Sequence, residues 1–164
     1  MKVLLPIVKK KKNTGIEKTI YKQYFNKTKK KIINRWGKSA LDNQEVQKIG
    51  EEYLGNKFKG VYPSDRLEFK PGYYIINVDK FGEMGSHWVG IIIKNKTMYV
   101  YDSYARKTNK LINHLYDKAK KLKYKIVDIN KKSDQHPKSE VCGGISISWL
   151  STVDKYGMKA GKAI

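Results

Sequence analysis

Four residues whose types together make an activated thiol occur in order along this chain: His87, Asp102, Gln135 and Cys142. His87 stands in Gly85-Ser86-His87-Trp88 and Asp102 in Tyr101-Asp102-Ser103-Tyr104. Gln135 precedes Cys142 by seven residues, and Cys142 is the sole cysteine. A thiol attacks a carbonyl as its thiolate. The reaction needs an imidazole to take the proton, a carboxylate to orient that imidazole, and an N–H donor to meet the developing oxyanion. The set points to a thiol hydrolase.

The context of each residue sharpens that reading. An isolated cysteine is more often a small core residue than a nucleophile. Cys142, however, follows a polar loop, Asn130 to Val141, and immediately precedes Gly143-Gly144 and the apolar run Ile145–Val153. A thiol at a helix N-terminus feels the positive end of the dipole, which favours thiolate. The glycines let a carbonyl approach the backbone. N–H groups at Cys142 and Gly143 could then hold an oxyanion, with Gln135 as a side-chain donor. On spacing alone Gln135 reads equally well as an ordinary loop residue.

His87 and Asp102 sit on two apolar runs, His87–Lys94 and Thr97–Ser103, that meet at Asn95-Lys96 and suggest a hairpin. With a two-residue turn, His87 falls opposite Tyr104. Asp102 then shares its sheet face as a diagonal neighbour roughly 7–8 Å away. A slip of one residue would send Asp102 to the other face. His114, on a helical stretch, and His136 lack an evident carboxylate partner. Three scattered histidines and one cysteine give no zinc spacing. Ser86, Ser103 and Ser139 lack a nucleophile-elbow context, and no glycine-rich phosphate loop is present. Neither a metal nor a nucleotide cofactor is expected.

The elements that must position these residues can be read from periodicity. Ser39 with Asp42 three residues on resembles a capping box, followed by Leu41, Val46 and Ile49 at helical spacing, and Gly55 can end that helix. Pro63, Pro71 and Gly72 punctuate a loop. Tyr73–Val78 reads as a buried strand. Thr108–Lys121 places Leu111, Ile112, Leu115 and Ala119 on one helical stripe, and Tyr124–Ile129 alternates as a strand. A helix over Cys142–Tyr156 is closed by Gly157. Helix, strands, helix, strand, loop and helix make an α+β domain.

Charge is the second strong signal. The formal net charge is +20, and residues 1–38 alone hold twelve lysines and Arg35 against the single Glu17. That segment, with Lys9, Lys10, Lys11 and Lys12 and then Lys29, Lys30 and Lys31, reads as a basic extension, part helix and part arm. Its apolar residues recur as Ile16, Ile20, Tyr24 and as Tyr21, Phe25. The catalytic domain is expected over 39–164. Such a field attracts polyanions by counterion release. Lysines far outnumber arginines, so DNA binding through the two lysine runs would be largely independent of sequence. A lysine-rich composition serving only solubility is the plainer alternative. At 164 residues the chain can bury a core without disulfides. The opening Met1–Val8 is a poor signal peptide, and no apolar run has the roughly 20 residues of a membrane span. An intracellular protein, not secreted and monomeric, is expected.

Gly85-Ser86-His87-Trp88-Val89, Tyr101-Asp102-Ser103 and the Gln135-to-Cys142-Gly143 spacing resemble the adenovirus-type cysteine proteases (adenain). Phe58–Leu67 and Tyr73–Val78 look like that family's early segment, and the likeness covers about residues 40–157. The resemblance implies a papain-like or adenain-like fold: a central, mostly antiparallel sheet packed by helices, with the nucleophile at a helix N-terminus. It also implies roles: His87 as general base, Asp102 as the acidic third member, Gln135 as oxyanion donor and Cys142 as nucleophile. The adenovirus enzymes have glutamate where Asp102 stands. Members of the family mature viral capsid and structural precursors after small Gly-containing sequences, helped by DNA and in part by a basic peptide. This chain would then act in the host cell's viral factory and travel in the virion, as in virophages and related DNA viruses.

The adenovirus enzyme holds its activating peptide through a second cysteine, which is lacking here, so the basic extension is a candidate for that role. Ubiquitin-like-protein deconjugases share the ordered residues, but their Gln-to-Cys gap is typically one residue shorter and an Asp commonly precedes their cysteine, where this chain has Val141. A non-enzymatic, DNA-packaging virion protein would explain the charge and leave the four-residue order as coincidence.

Overall fold

The computed structural model describes residues 14–80, 82, 87–129, 132–135 and 140–164. Helix α1 (Gly15–Trp36) and helix α2 (Asn43–Leu54) come first, followed by strands β1 (Phe58–Pro63), β2 (Gly72–Asn77), β3 (Trp88–Lys94) and β4 (Thr97–Tyr101). Helices α3 (Thr108–Leu111) and α4 (Asn113–Lys121), strand β5 (Lys125–Asp128) and helices α5 (Cys142–Tyr156) and α6 (Met158–Gly161) complete the order. The five strands form one sheet in sequence order. This is the α+β class expected.

The expected mostly antiparallel sheet is mixed. β2, β3 and β4 pair antiparallel, whereas the two edges, β1 on β2 and β5 on β4, pair parallel. The β5 edge is parallel because α3 and α4 carry the chain back over the sheet between β4 and β5, a crossover that a hairpin cannot provide. β1 lies in the stretch that turn residues marked only as loop. Gly50 lets it pack there, since a Cβ on that glycine would fall 2.3 Å from the Phe58 ring.

At the hairpin, Asn95 and Lys96 both take positive φ (50° and 56°), the pattern of a type I′ turn. The register is the expected one, with Gly90 opposite Tyr101 and Lys94 opposite Thr97. Alternate residues of the central strands enter two cores. Ile75, Ile92 and Tyr101 face α1, α2 and α5, while Ile76, Ile91, Ile93, Met98 and Val100 face α4 through Ile112, Leu115 and Ala119. The stripe expected over 108–121 is broken at Ile112, whose ψ of 48° separates α3 from α4.

Two local expectations are corrected. The cap of α2 is Asp42, not Ser39: the Asp42 carboxylate accepts from Glu45 N–H at 2.8 Å and Glu45 returns the bond to Asp42 N–H at 2.9 Å. The segment before residue 38 is not simply an extension beside the domain. In α1 the residues Tyr21, Phe25, Thr28 and Ile32 are buried, and Phe25 and Ile32 join the same core as α5. Ile16 and Ile20 are exposed, so the i, i+4, i+7, i+11 stripe supplies the packing face rather than Ile16–Ile20–Tyr24. Burying Tyr21, Phe25 and Ile32 stabilises the fold by about 5 kcal/mol.

Candidate active site

Three elements converge on Cys142. It is the first residue of α5 and is buried. Its N-cap, Val141, offers no side-chain hydrogen bond to the first turn, so capping there leaves N–H groups for another acceptor. Gly143 and Gly144 serve packing as well as access. A Cβ on Gly143 would lie 3.2 Å from both Trp88 Cδ1 and Val46 Cγ2, and one on Gly144 would lie 3.0 Å from Ile32 Cγ2. The absence of side chains at both positions is what lets the start of α5 seat between α1, α2 and β3.

His87 and Asp102 flank the hairpin just beyond its last paired residues, Gly90 and Tyr101. His87 Nε2 and Asp102 Oδ1 are 2.5 Å apart, both residues are buried, and Asp102 is fully so. Asp102 Oδ1 also accepts from Tyr104 N–H, and Oδ2 accepts from Arg106 N–H and Arg106 Nε, at 3.1–3.3 Å. This wrap holds Ala105 at a φ of 52°, in the left-handed region that only local hydrogen bonding keeps an alanine in.

Burial favours the neutral acid at Asp102. The His87 hydrogen bond and charge and the two backbone N–H groups outweigh it and hold the pKa at about 2, below the ordinary 3.8. Burial likewise opposes imidazolium at His87, but hydrogen bonds to Asp102 and to Cys142 raise its pKa above 6.5. An ionised carboxylate only accepts, so Nε2 carries the proton and Nδ1 is left for the thiol.

Gln135 arrives on a loop tied to the end of β4. Tyr101 stacks on Trp149 of α5 at 4.9 Å between ring centres and donates its hydroxyl to Asp134 at 2.7 Å. Asp134 N–H and the Ser133 hydroxyl both donate to the Ser103 carbonyl. Gln135 is buried, accepting from the Ser103 hydroxyl at Oε1 (2.5 Å) and donating from Nε2 to Tyr104 Oη (2.9 Å). Tyr104 in turn lies against the His87 ring, 5.2 Å between centres.

All four sequence-selected site residues are thus buried and linked: Cys142 to His87, His87 to Asp102, and Gln135 through Tyr104 back to His87. Sequence reasoning missed Tyr104 and Arg106 as members of this network and set Ser103 aside because it is no nucleophile. Their adjacency to Asp102 was the available signal.

Of the remaining residues, His114 is exposed on α4. His136, Ser86, Ser139 and Lys9, Lys10, Lys11 and Lys12 lie outside the described residues. Lys30 and Lys31 are exposed on α1, whereas Lys29 is half-buried with its ammonium 5.5 Å from the centre of the Phe25 ring. Consecutive helical residues point about 100° apart, so this run does not make one face. Among the described residues no group of His, Cys, Asp and Glu gathers as a metal set, and no helix is long and apolar enough to cross a membrane.

A groove of about 560 Å³ borders Trp88, lined by Ala40–Gln44. A larger one, about 740 Å³, lies at the other end of α5 beside Val153 and Met158 and touches none of the four residues. Volume is a poor guide here, because the ionisable groups that could do chemistry are at the start of α5. No protein-family model matches this chain, and no curated protein matches it.

Proposed function

We propose that this protein is a cysteine endopeptidase of the adenovirus type, with the papain-like arrangement of a helix-borne thiol facing a sheet-borne base. The observation that carries the reading is the buried His87, hydrogen-bonded to the Asp102 carboxylate at 2.5 Å and near enough to the Cys142 thiol at the start of α5 to be raised in pKa by it. The Cys142 proton passes to His87 Nδ1, and the Sγ lone pair forms a bond to the scissile carbonyl carbon. The carbonyl π electrons move onto oxygen, where first-turn N–H groups of α5 and Gln135 Nε2 meet the charge. Collapse expels the amine, which takes its proton from His87 and leaves a thioester. Water, deprotonated by His87, then releases the acid. Throughout, Asp102 keeps the imidazole oriented and favours its charged form.

Substrates in this reading are viral capsid and structural precursors cut at small Gly-containing sites. The +20 charge supports DNA as a surface that gathers enzyme and substrate. DNA and precursors would meet in the viral factory and in the virion.

The test is the pH dependence of Cys142 alkylation followed by intact mass, with and without DNA, together with hydrolysis of Gly-containing peptides. Alkylation faster than that of a free thiol at neutral pH, lost in His87→Ala, and peptide cleavage lost in Cys142→Ala are expected. Preferential release of a ubiquitin-like protein from its conjugate would move the assignment to a deconjugase. An unreactive thiol with tight DNA binding would leave only a packaging role.

A further inference from the structure

The groove of about 740 Å³ at the far end of α5 has a floor and a rim of different chemistry. Tyr73 of β2 lies opposite Ile92 of β3, and Ile92 opposite Tyr99 of β4, so the three side chains stand in one row on one face of the sheet. This is the face that α5 covers: Ile92 is buried in that core, with Tyr73 and Tyr99 packed against it. Helix α5 stops at Gly157, where a φ of 85° turns the chain. Past Val153 and Met158 the two tyrosines are left half-buried, lining the groove.

The rim is basic. Lys57, Lys59 and Lys94 line it and are exposed, and Asp154 is the only carboxylate among the lining residues. Lys57 pairs with that carboxylate at 2.7 Å, so Lys59 and Lys94 carry charge that no acidic lining residue balances. Lys162 adds a further ammonium, 6.0 Å from the centre of the Tyr99 ring. None of these lysines belongs to the two lysine runs in residues 1–38.

Aromatic rings with cations around them suit a chain of bases joined by phosphates, because a ring stacks any base and the ammonium groups meet the backbone. An extended peptide gains less here. β2, β3 and β4 are interior strands, each paired on both sides, so the floor offers no main-chain hydrogen bonds to an added strand. A duplex keeps its bases stacked on one another and presents only phosphates to such a site.

We infer that this groove binds single-stranded nucleic acid without sequence preference, bases stacking on Tyr73 and Tyr99 and phosphates meeting Lys59 and Lys94. The inference rests on the DNA binding of the proposed function, to which it gives a place on the molecule, and not on the thiol chemistry.

The test is fluorescence anisotropy of a labelled oligothymidylate of about 10 nucleotides, with a duplex of the same length beside it. Tyr73→Leu and Tyr99→Leu keep apolar bulk on the floor and remove the ring. Each should weaken single-strand binding about tenfold and leave duplex binding within about twofold of wild type. Tyr99→Phe keeps the ring and should bind as wild type does. Lys59→Gln and Lys94→Gln, on the exposed rim, should each lower the slope of log K against log salt for the single strand by about 0.7. Their outcome does not depend on how the tyrosine variants fold.

Single-strand binding unchanged in both leucine variants, or weakened there together with duplex binding, would overturn the inference. So would salt slopes unmoved by both glutamine variants, or a loss in Tyr99→Phe equal to that in Tyr99→Leu. A poly-glutamate peptide that binds wild type and is lost in the leucine variants, while oligothymidylate is not, would assign the groove to acidic peptides instead. In all of these cases duplex binding by the wild type would keep DNA in the proposed function. A wild-type protein that binds neither form at low salt would remove DNA from that function, and this inference with it.

Discussion

Replacing Asp102 with asparagine removes a charge from the interior at almost constant volume. In the folded protein its carboxylate meets His87, two backbone N–H groups and Arg106 Nε, and its pKa is held at about 2 against an ordinary 3.8. At ~1.4 kcal/mol per pKa unit, that lowering is worth about 2 kcal/mol of folding stability. The pKa is depressed in the folded state, so the contribution is complete above the unfolded value and is lost as pH falls through the folded one. Asp102→Asn lacks it throughout. Urea unfolding at pH 7 should show the variant less stable by about 2 kcal/mol, with the gap closing as pH approaches 2.

The hydrogen bond to His87 is the largest of the effects that lower the Asp102 pKa, so much of the same free energy supports the imidazolium that the proposed reaction forms when His87 takes the Cys142 proton. A loss of up to about 2 kcal/mol is a factor on the order of 10 to 30 in ion-pair population. Iodoacetamide alkylation of Cys142 near pH 7 should slow by that factor in the variant, with circular dichroism unchanged. A folded Asp102→Asn protein that alkylates as fast as wild type would refute this account of the site. So would a stability gap that persists unchanged into acid.

The His87 pKa is raised above 6.5, so the imidazolium survives past that pH, and if it protonates the leaving amine as proposed, the alkaline limb of kcat/KM should fall above 6.5. A limb at or below it in a pH series on a peptide substrate would contradict the shift. The linked stability runs in the same sense, complete below the unfolded histidine value and lost as pH rises through the folded one. Phe25→Ala in α1 should cost about 3–5 kcal/mol by equilibrium unfolding, a loss that an appended arm would not produce. Gly144→Val would drive a side chain into Ile32, since a Cβ there already lies 3.0 Å from Ile32 Cγ2. It should destabilise by about 1–3 kcal/mol and slow Cys142 alkylation, with partial recovery when Ile32→Ala makes room. Neutralising the exposed Lys30 and Lys31 to glutamine should lower the slope of log K against log salt for duplex DNA by about 1 per lysine engaged. An unchanged slope would remove both from the interface.

Much of the site was legible because it depends on short-range rules. A two-residue turn sets a hairpin register, and the register decides that His87 and Asp102 share a face. An apolar helix preceded by a polar loop and closed by Gly157 places Cys142 at its start. What periodicity could not supply was any contact between those two pieces. The hairpin and α5 are brought together by packing among Gly143, Trp88 and Val46, by Gly144 against Ile32 and by the Tyr101–Trp149 stack. None of these has a local signature.

The same limit explains the misreadings. α1 carries two apolar stripes, and only the presence of α5 selects Tyr21–Phe25–Thr28–Ile32 for burial. β1 looks like loop because its pairing with β2 is parallel and its packing depends on Gly50 of the preceding helix, a contact with no periodic signal. The orientation of Gln135 rests on the Ser103 and Tyr104 hydroxyls more than thirty residues away. The sequence by itself determined which residues could do chemistry and how each local element carries them. Only the tertiary structure decided that they meet, because burial energy is a property of surfaces closing on one another and no single segment contains both.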